Sequence, residues 1–176
     1  MAEYADLPHF SPSFAEKPHG KTMSSTLDNF DKKILHILQL NCRVASEEIA
    51  GQVGLSASAV QRRIKRLREE GIIAAEVAII DGNVSSHGVS FLAELEIERD
   101  NYAVIGQFKQ WASDQHWIQQ VFYVTGHFDL MLVINAPSPT DYDRYIEDLM
   151  ARYPQIKRVT TNVVLDTPKK GLYLPI

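Results

Sequence analysis

Residues 46–71 read SEEIAGQVGLSASAVQRRIKRLREEG, and their punctuation predicts two short helices joined by a tight turn. Ser46 is placed to cap the first helix, with Glu47 and Glu48 in the first turn, where the positive end of the helix dipole favours carboxylates. Ile49, Ala50 and Val53 supply its inner face. Gly54 stands where a left-handed residue lets the chain reverse, Leu55 can plug the corner, and Ser56 is placed to cap the second helix. This is the order of a helix-turn-helix.

In the second helix Val60, Ile64 and Leu67 recur at i, i+4 and i+7, one apolar stripe at about 100° per residue. Ser58, Arg62, Lys65 and Arg66 project opposite that stripe, with Ala59 and Gln61 on its flanks. A helix that buries one side and offers a basic, hydrogen-bonding other side suits the major groove, whose base edges accept from Arg and Gln and whose phosphates attract Lys and Arg. The candidate contact set is Ser56, Ser58, Ala59, Gln61, Arg62, Arg63, Lys65 and Arg66. The plainer alternative is a solvated face in which Arg66 pairs with Glu70 at i, i+4. The cap, the glycine turn and the preceding helix favour DNA.

The stretch Leu27 to Ile73 resembles the N-terminal domain of the Lrp/AsnC (feast/famine) family of prokaryotic transcription regulators. The matching marks are Leu27-Asp28 with Asp31 and Ile34-Leu35, Ala50 with Gly54-Leu55-Ser56, and RRIKRL closing on Glu70-Gly71-Ile72-Ile73. The likeness continues to the end of the chain, over residues 27–176.

The chain of 176 residues is long enough for one good core or two small ones. Its formal net charge of −4 suits a DNA binder only once it is divided. Residues 27–75 hold eight Lys or Arg against six acids, whereas residues 76–176 hold eight against thirteen. Phosphate is therefore expected to meet the first half only. Cys42, the single cysteine, excludes an internal disulfide and a thiolate cluster and suits a reducing cytoplasm. No apolar run approaches membrane-spanning length and no signal peptide opens the chain, so a soluble cytoplasmic protein with no membrane partner is expected.

Four divisions follow. Residues 1–26, with three prolines and no periodicity, read as a flexible tail or an appended leader ending near Met23; two isolated histidines there, His9 and His19, are expected to be solvated and not to hold a metal. Residues 27–75 form the helix-turn-helix domain, opened by a covering helix from Leu27 to Asn41. Residues 76–89 are a connecting strand and hinge: Ile72 to Ile80 alternate loosely and read as a strand leading away from the domain, and DGNVSSHG as the hinge. Residues 90–176 alternate strand, helix, strand, strand, helix, strand.

In SFLAELEIE, Phe91, Ala93, Leu95 and Ile97 share one face and three glutamates the other. A helix from Tyr102 to Ser113 follows, then strands from Ile118 to Thr125 and from Leu130 to Ala136, joined by a hairpin-length link. A helix from Thr140 to Tyr153 and a strand from Ile156 to Asp166 complete the order. This βαββαβ order predicts an α+β, ferredoxin-like antiparallel sheet with two helices on one side, behind a winged helix-turn-helix. The strand LMLVI is apolar on both faces. Helices cover one; a second subunit is expected on the other, giving at least a homodimer with DNA half-sites one or more turns apart. The resemblance implies the same dimer, often assembled further into octamers.

No catalytic or metal site is visible: the six histidines are dispersed, and nucleophile elbows and phosphate loops are absent. Asp141 and Asp143 serve a helix start. No cofactor is expected. In the resembling family a Gly-x-x-Asp turn, with last-strand residues of a neighbouring subunit, binds an amino-acid effector. Carried onto VTGHFD, that implies Thr125, Gly126, His127, Phe128 and Asp129, and beside them Thr160, Thr161 and Asn162. Asp129 can meet an ammonium group, and a glycine turn can expose N–H donors to a carboxylate. A plain hairpin turn, with Asp129 bonded locally, is the alternative. Tetrapyrrole decarboxylases of related two-domain architecture are the rival from another class, and an effector-independent DNA-organising protein is a third reading. The decarboxylases call for a histidine-rich pocket, which the sequence does not supply.

Overall fold

The computed structural model describes residues 27–80, 88–98 and 103–176. The tail 1–26 with His9 and His19, hinge residues 81–87 and the expected helix start at Tyr102 lie outside them. The described residues divide into two compact units, one of residues 27–78 with 169–176 and the other of residues 79–80, 88–98 and 103–168.

The first unit begins with α1 (Asn29–Leu40), α2 (Ser46–Val53) and α3 (Ala57–Glu69). A reciprocal capping box opens α1: the Asp31 N–H donates to the Asp28 carboxylate at 2.8 Å, and the Asp28 N–H donates to that of Asp31 at 3.2 Å. Ser46, expected as the cap of α2, is instead its first helical residue. Ala45 holds the cap position without a side-chain bond, because the first turn closes from the Ile49 N–H onto the Ala45 carbonyl at 3.1 Å. Gly54 ends α2 at φ 77°, the left-handed angle that the reversal requires. The Ser56 hydroxyl then caps α3 by accepting from the Ala59 N–H at 3.2 Å.

Ile34, Leu35, Ile49, Ala50, Val53, Val60, Ile64 and Leu67 form the buried core of this unit. After α3 the N–H groups of Ile72 and Ile73 both donate to the Leu67 carbonyl. No strand follows among residues 72–80. The expected strand is an irregular segment, with no neighbouring strand among the described residues to complete its hydrogen bonds.

Residues 169–176, the end of the stretch expected as the sheet domain, make their contacts with this helical unit. The Gln39 amide accepts from the Leu174 N–H at 2.7 Å and donates to the Leu174 carbonyl at 3.1 Å. Tyr173 and His36 share a hydrogen bond, their rings edge to face with centroids 5.5 Å apart. Leu174 and Ile176 join Leu35, Leu38, Ile72 and Ile73 around a cavity of about 330 Å³.

The second unit is the expected antiparallel sheet. It consists of β1 (Val89–Ile97), α4 (Ala103–Ser113), β2 (Ile118–Tyr123), β3 (Leu130–Ala136), α5 (Pro139–Arg152) and β4 (Ile156–Val163), with strand order β2-β3-β1-β4. Phe91, Ala93, Leu95 and Ile97 of β1 and Leu130, Leu132 and Ile134 of β3 are buried against Val104, Ile105, Phe108 and Ala112 of α4 and Tyr142 and Leu149 of α5. The Phe91 and Tyr142 rings stack at 3.9 Å, and the Tyr142 hydroxyl shares a 2.7 Å hydrogen bond with that of Thr161. Burial raises the Tyr142 and Tyr145 phenol pKa values above the ordinary tyrosine value.

β4 ends at Val163, short of the expected Asp166. One further bond runs from the Val164 N–H to the Ser90 carbonyl, and Leu165 is 96% exposed. The face away from the helices is mixed. Leu92, Met131 and Val133 are half-buried, Phe122 is 47% exposed, and Glu94, Glu96 and Arg158 lie in register among them.

Candidate functional site

α3 presents its apolar stripe inward, as its spacing requires, with Val60, Ile64 and Leu67 buried. Ser56, Ser58, Gln61, Arg62 and Lys65 are exposed, while Ala59, Arg63 and Arg66 are half-buried. The two serine hydroxyls lie 3.1 Å apart at the helix start, where free N–H groups and the positive dipole end favour a phosphate.

Arg63 and Arg66 depart from the expected outward display. Arg63 reaches Asp31 at 2.8 Å and Asp28 at 2.7 Å, with its guanidinium 5.5 Å above the Phe30 ring. Arg66 reaches the other Asp31 oxygen at 2.6 Å, and its Nε is buried without a hydrogen-bond partner. Asp31 is 1% exposed, and a carboxylate so buried is costly unless cations and hydrogen-bond donors pair with it. The Asp31 N–H and the Arg63 guanidinium hold the Asp28 carboxyl below its ordinary pKa, while Asp31 and then Asp28 raise that of Arg63. The i, i+4 pair on α3 is Lys65–Glu69 at 3.7 Å, not Arg66–Glu70. Arg68 makes two bonds to Glu76, at 2.8 and 3.1 Å.

Asp31 was within reach of sequence reasoning. It falls at i, i+3 and i+4 with Ile34 and Leu35, on the buried side of α1, and a carboxylate on an apolar stripe demands a cationic neighbour.

In the turn before β3 the Val124 N–H donates to the Asp129 carbonyl at 3.0 Å, and the Asp129 N–H donates to the Leu95 carbonyl at 2.8 Å. One Asp129 carboxylate oxygen accepts from the Ile97 N–H at 2.7 Å, so this side chain extends the β1–β3 ladder by one bond. Gly126 adopts φ 138°, and a Cβ there would meet nothing within 4 Å; the backbone angle, not crowding, requires glycine. Thr125, Gly126 and His127 are exposed, and Phe128 and Asp129 are half-buried.

Within one chain the turn and the β4 candidates are not adjacent, because β1 lies between β3 and β4. Thr161 points to the helix side, bonded to Tyr142. Thr160 and Asn162 lie on the open face, where the Asn162 amide donates to Glu94 at 3.4 Å. The described histidines His36, His116 and His127 stand on α1, in the loop before β2 and in the turn before β3.

The family model of the AsnC-type helix-turn-helix domain matches residues 27–68, and that of the Lrp/AsnC ligand binding domain matches residues 90–174. An uncharacterised HTH-type transcriptional regulator of Sinorhizobium fredii is 33% identical over 150 residues, 85% of this chain and 89% of that protein. Among solved structures, an AsnC family transcriptional regulator from Agrobacterium tumefaciens superposes with TM-score 0.76 at 26% identity, over 84% of this chain and 96% of that one. A transcriptional regulator from Neisseria meningitidis in complex with L-Met does so with TM-score 0.76 at 25% identity, over 85% and 97%.

Proposed function

This chain belongs to the Lrp/AsnC family of transcription regulators, and from that premise we propose that its α3 enters the major groove of double-stranded DNA, that it works in the cytoplasm as a homodimer able to assemble further, and that an amino acid bound at the 125–129 turn tunes it. The observation that carries the DNA reading is α3 itself, a Ser56-capped helix with its apolar stripe inside and Gln61, Arg62 and Lys65 open to solvent. The half-buried apolar residues Leu92, Met131 and Val133 support a second copy on the open sheet face.

Replacing Arg62 and Lys65 by alanine removes the two exposed cations of this face. Each lost phosphate contact is expected to lower the slope of log K against log salt by about 0.9 and to weaken binding across sequences, with the assembly state unchanged. Gel shifts at several salt concentrations measure this. Unaltered affinity and slope would remove α3 from the interface.

The effector reading joins the Asp129 carboxylate, for an ammonium group, to the backbone N–H groups around Gly126, for a carboxylate. The L-Met complex of the Neisseria protein supports an amino acid as the ligand class. Thr160 and Asn162 of a second copy are the proposed other wall, since β1 separates them from the turn within one chain. The effector acts only through its differential affinity for the assembly or domain arrangements it meets.

The check is thermal melting with each of the twenty amino acids, L-methionine first. At 100-fold excess over Kd the matching one stabilises by about 2.7 kcal/mol. Asp129→Ala is expected to abolish that increment. It also strips the Ile97 N–H of its partner, so its melting is compared with and without the amino acid. No shift for any amino acid with the unaltered chain overturns the effector reading.

A further inference from the structure

Arg68 of α3 is engaged with Glu76, and the other four cations of the helix fall into two classes. Lys65 and its partner Glu69 are 76% and 64% exposed, so water and salt dissolve that pair readily. Arg62 is exposed and has no ion-pair partner among the described residues. Arg63 and Arg66, by contrast, both reach Asp31, a carboxylate that is 1% exposed, and Arg63 reaches Asp28 as well. Lifting either guanidinium away would leave charge buried and half-paired, a far larger cost than that of breaking a solvated pair. A phosphate in water offers little to offset it.

We propose that Asp31 is a positioning residue that sets the ratio of sequence-specific to sequence-blind DNA binding, by withholding Arg63 and Arg66 from the phosphates and locking α3 to the start of α1. Contacts to phosphate release counterions on any duplex and carry no sequence information, so each withheld arginine lowers binding to bulk DNA. Specific affinity then depends on what Gln61, Arg62 and the serines at the start of α3 meet in the groove. The Asp28–Asp31 capping box fixes the carboxylate in place, since the Asp28 N–H donates to the same Asp31 oxygen that Arg66 reaches. Asp31 thus accepts from three donors and ties α1 to the middle of α3 through two of them, the Arg63 and Arg66 guanidinium groups. This inference rests on the reading that α3 meets DNA, and the experiment separates the two.

The experiment measures Kd of the full chain for a short duplex of mixed sequence across a salt series. Asp31→Asn keeps the shape and removes the charge. If helix content and assembly state are retained, binding to this duplex is expected to tighten. The slope of log K against log salt should steepen by about 0.9 for each arginine released per subunit. A folded Asp31→Asn chain with an unchanged or shallower slope overturns the proposal. Because loss of a buried charge can unfold the unit, Arg66→Ala and Arg62→Ala are measured beside it. Arg62→Ala is expected to lower the slope by about 0.9, and Arg66→Ala to leave it unchanged. Equal losses from both would show Arg66 swinging onto phosphate and would overturn the withholding. No loss from Arg62→Ala would instead discard the α3 interface itself.

Discussion

Leu67→Ala is expected to abolish DNA binding while the protein keeps its assembly state. Leu67 is fully buried and belongs to a core of eight buried residues among those described. Removing three carbons from such a site costs about 2–5 kcal/mol, through lost transfer energy and the cavity left behind. A domain of this size starts near the low end of the usual 5–15 kcal/mol, because a short chain buries a smaller share of its surface. The substitution therefore consumes most of the stability that holds α3 in place. The sheet unit has its own core and is left intact. Circular dichroism should lose part of its helical signal, gel shifts should disappear, and sedimentation should be unchanged. Retained DNA binding at an unchanged melting temperature would show that the three helices draw their stability from elsewhere.

The complementary substitution is Phe91→Ala, with the opposite pattern expected. Phe91 is 2% exposed on β1, which is flanked by β3 and β4, and its ring stacks on Tyr142 at 3.9 Å with 12° between planes. Truncation costs about 3–5 kcal/mol, and loss of the ring pair adds about 0.5–1.5 kcal/mol. The upper end is expected because Tyr142 is fastened by its hydroxyl to Thr161 and does not readily swing into the void. The sheet loses its melting transition and with it the face proposed to seat a second copy. Sedimentation should then show smaller or aggregated species. A variant that melts and sediments like the parent would refute this account of the core.

The turn-helix order was legible in residues 46–71 because Gly54 and Ser56 each have one strong local use, and the structure puts each to that use. The sheet order was legible because alternation along Phe91–Ile97 and the double-sided apolarity of Leu130–Ile134 leave few topologies open. What escaped the sequence depended on partners. Ser46 has the chemistry of a cap, yet the Ile49 to Ala45 bond set the helix start one residue earlier. Residues 72–80 alternate loosely, but a strand exists only where another chain segment accepts its hydrogen bonds.

Arg66 shows a different shortfall. Helical periodicity gives the angle at which a side chain leaves the axis, whereas a guanidinium ends several ångströms away, here on a neighbouring helix. The candidate effector residues were read as one group, but strand alternation splits them, sending Thr161 to Tyr142 and Thr160 to the open face. The segment KKGLYLPI, without periodicity of its own, gave no sign that it packs beside α1.

That segment is held in an unusual manner. At Leu174 the Gln39 amide imitates an adjacent β-strand, giving one donor and one acceptor to the main chain and nothing to the leucine side chain, which stays 67% exposed. Such a grip is blind to residue type. These two bonds tolerate any non-proline residue at 174 and confine position 39 to a primary amide, so any preference for leucine there comes from the cavity it lines with Leu35 and Leu38.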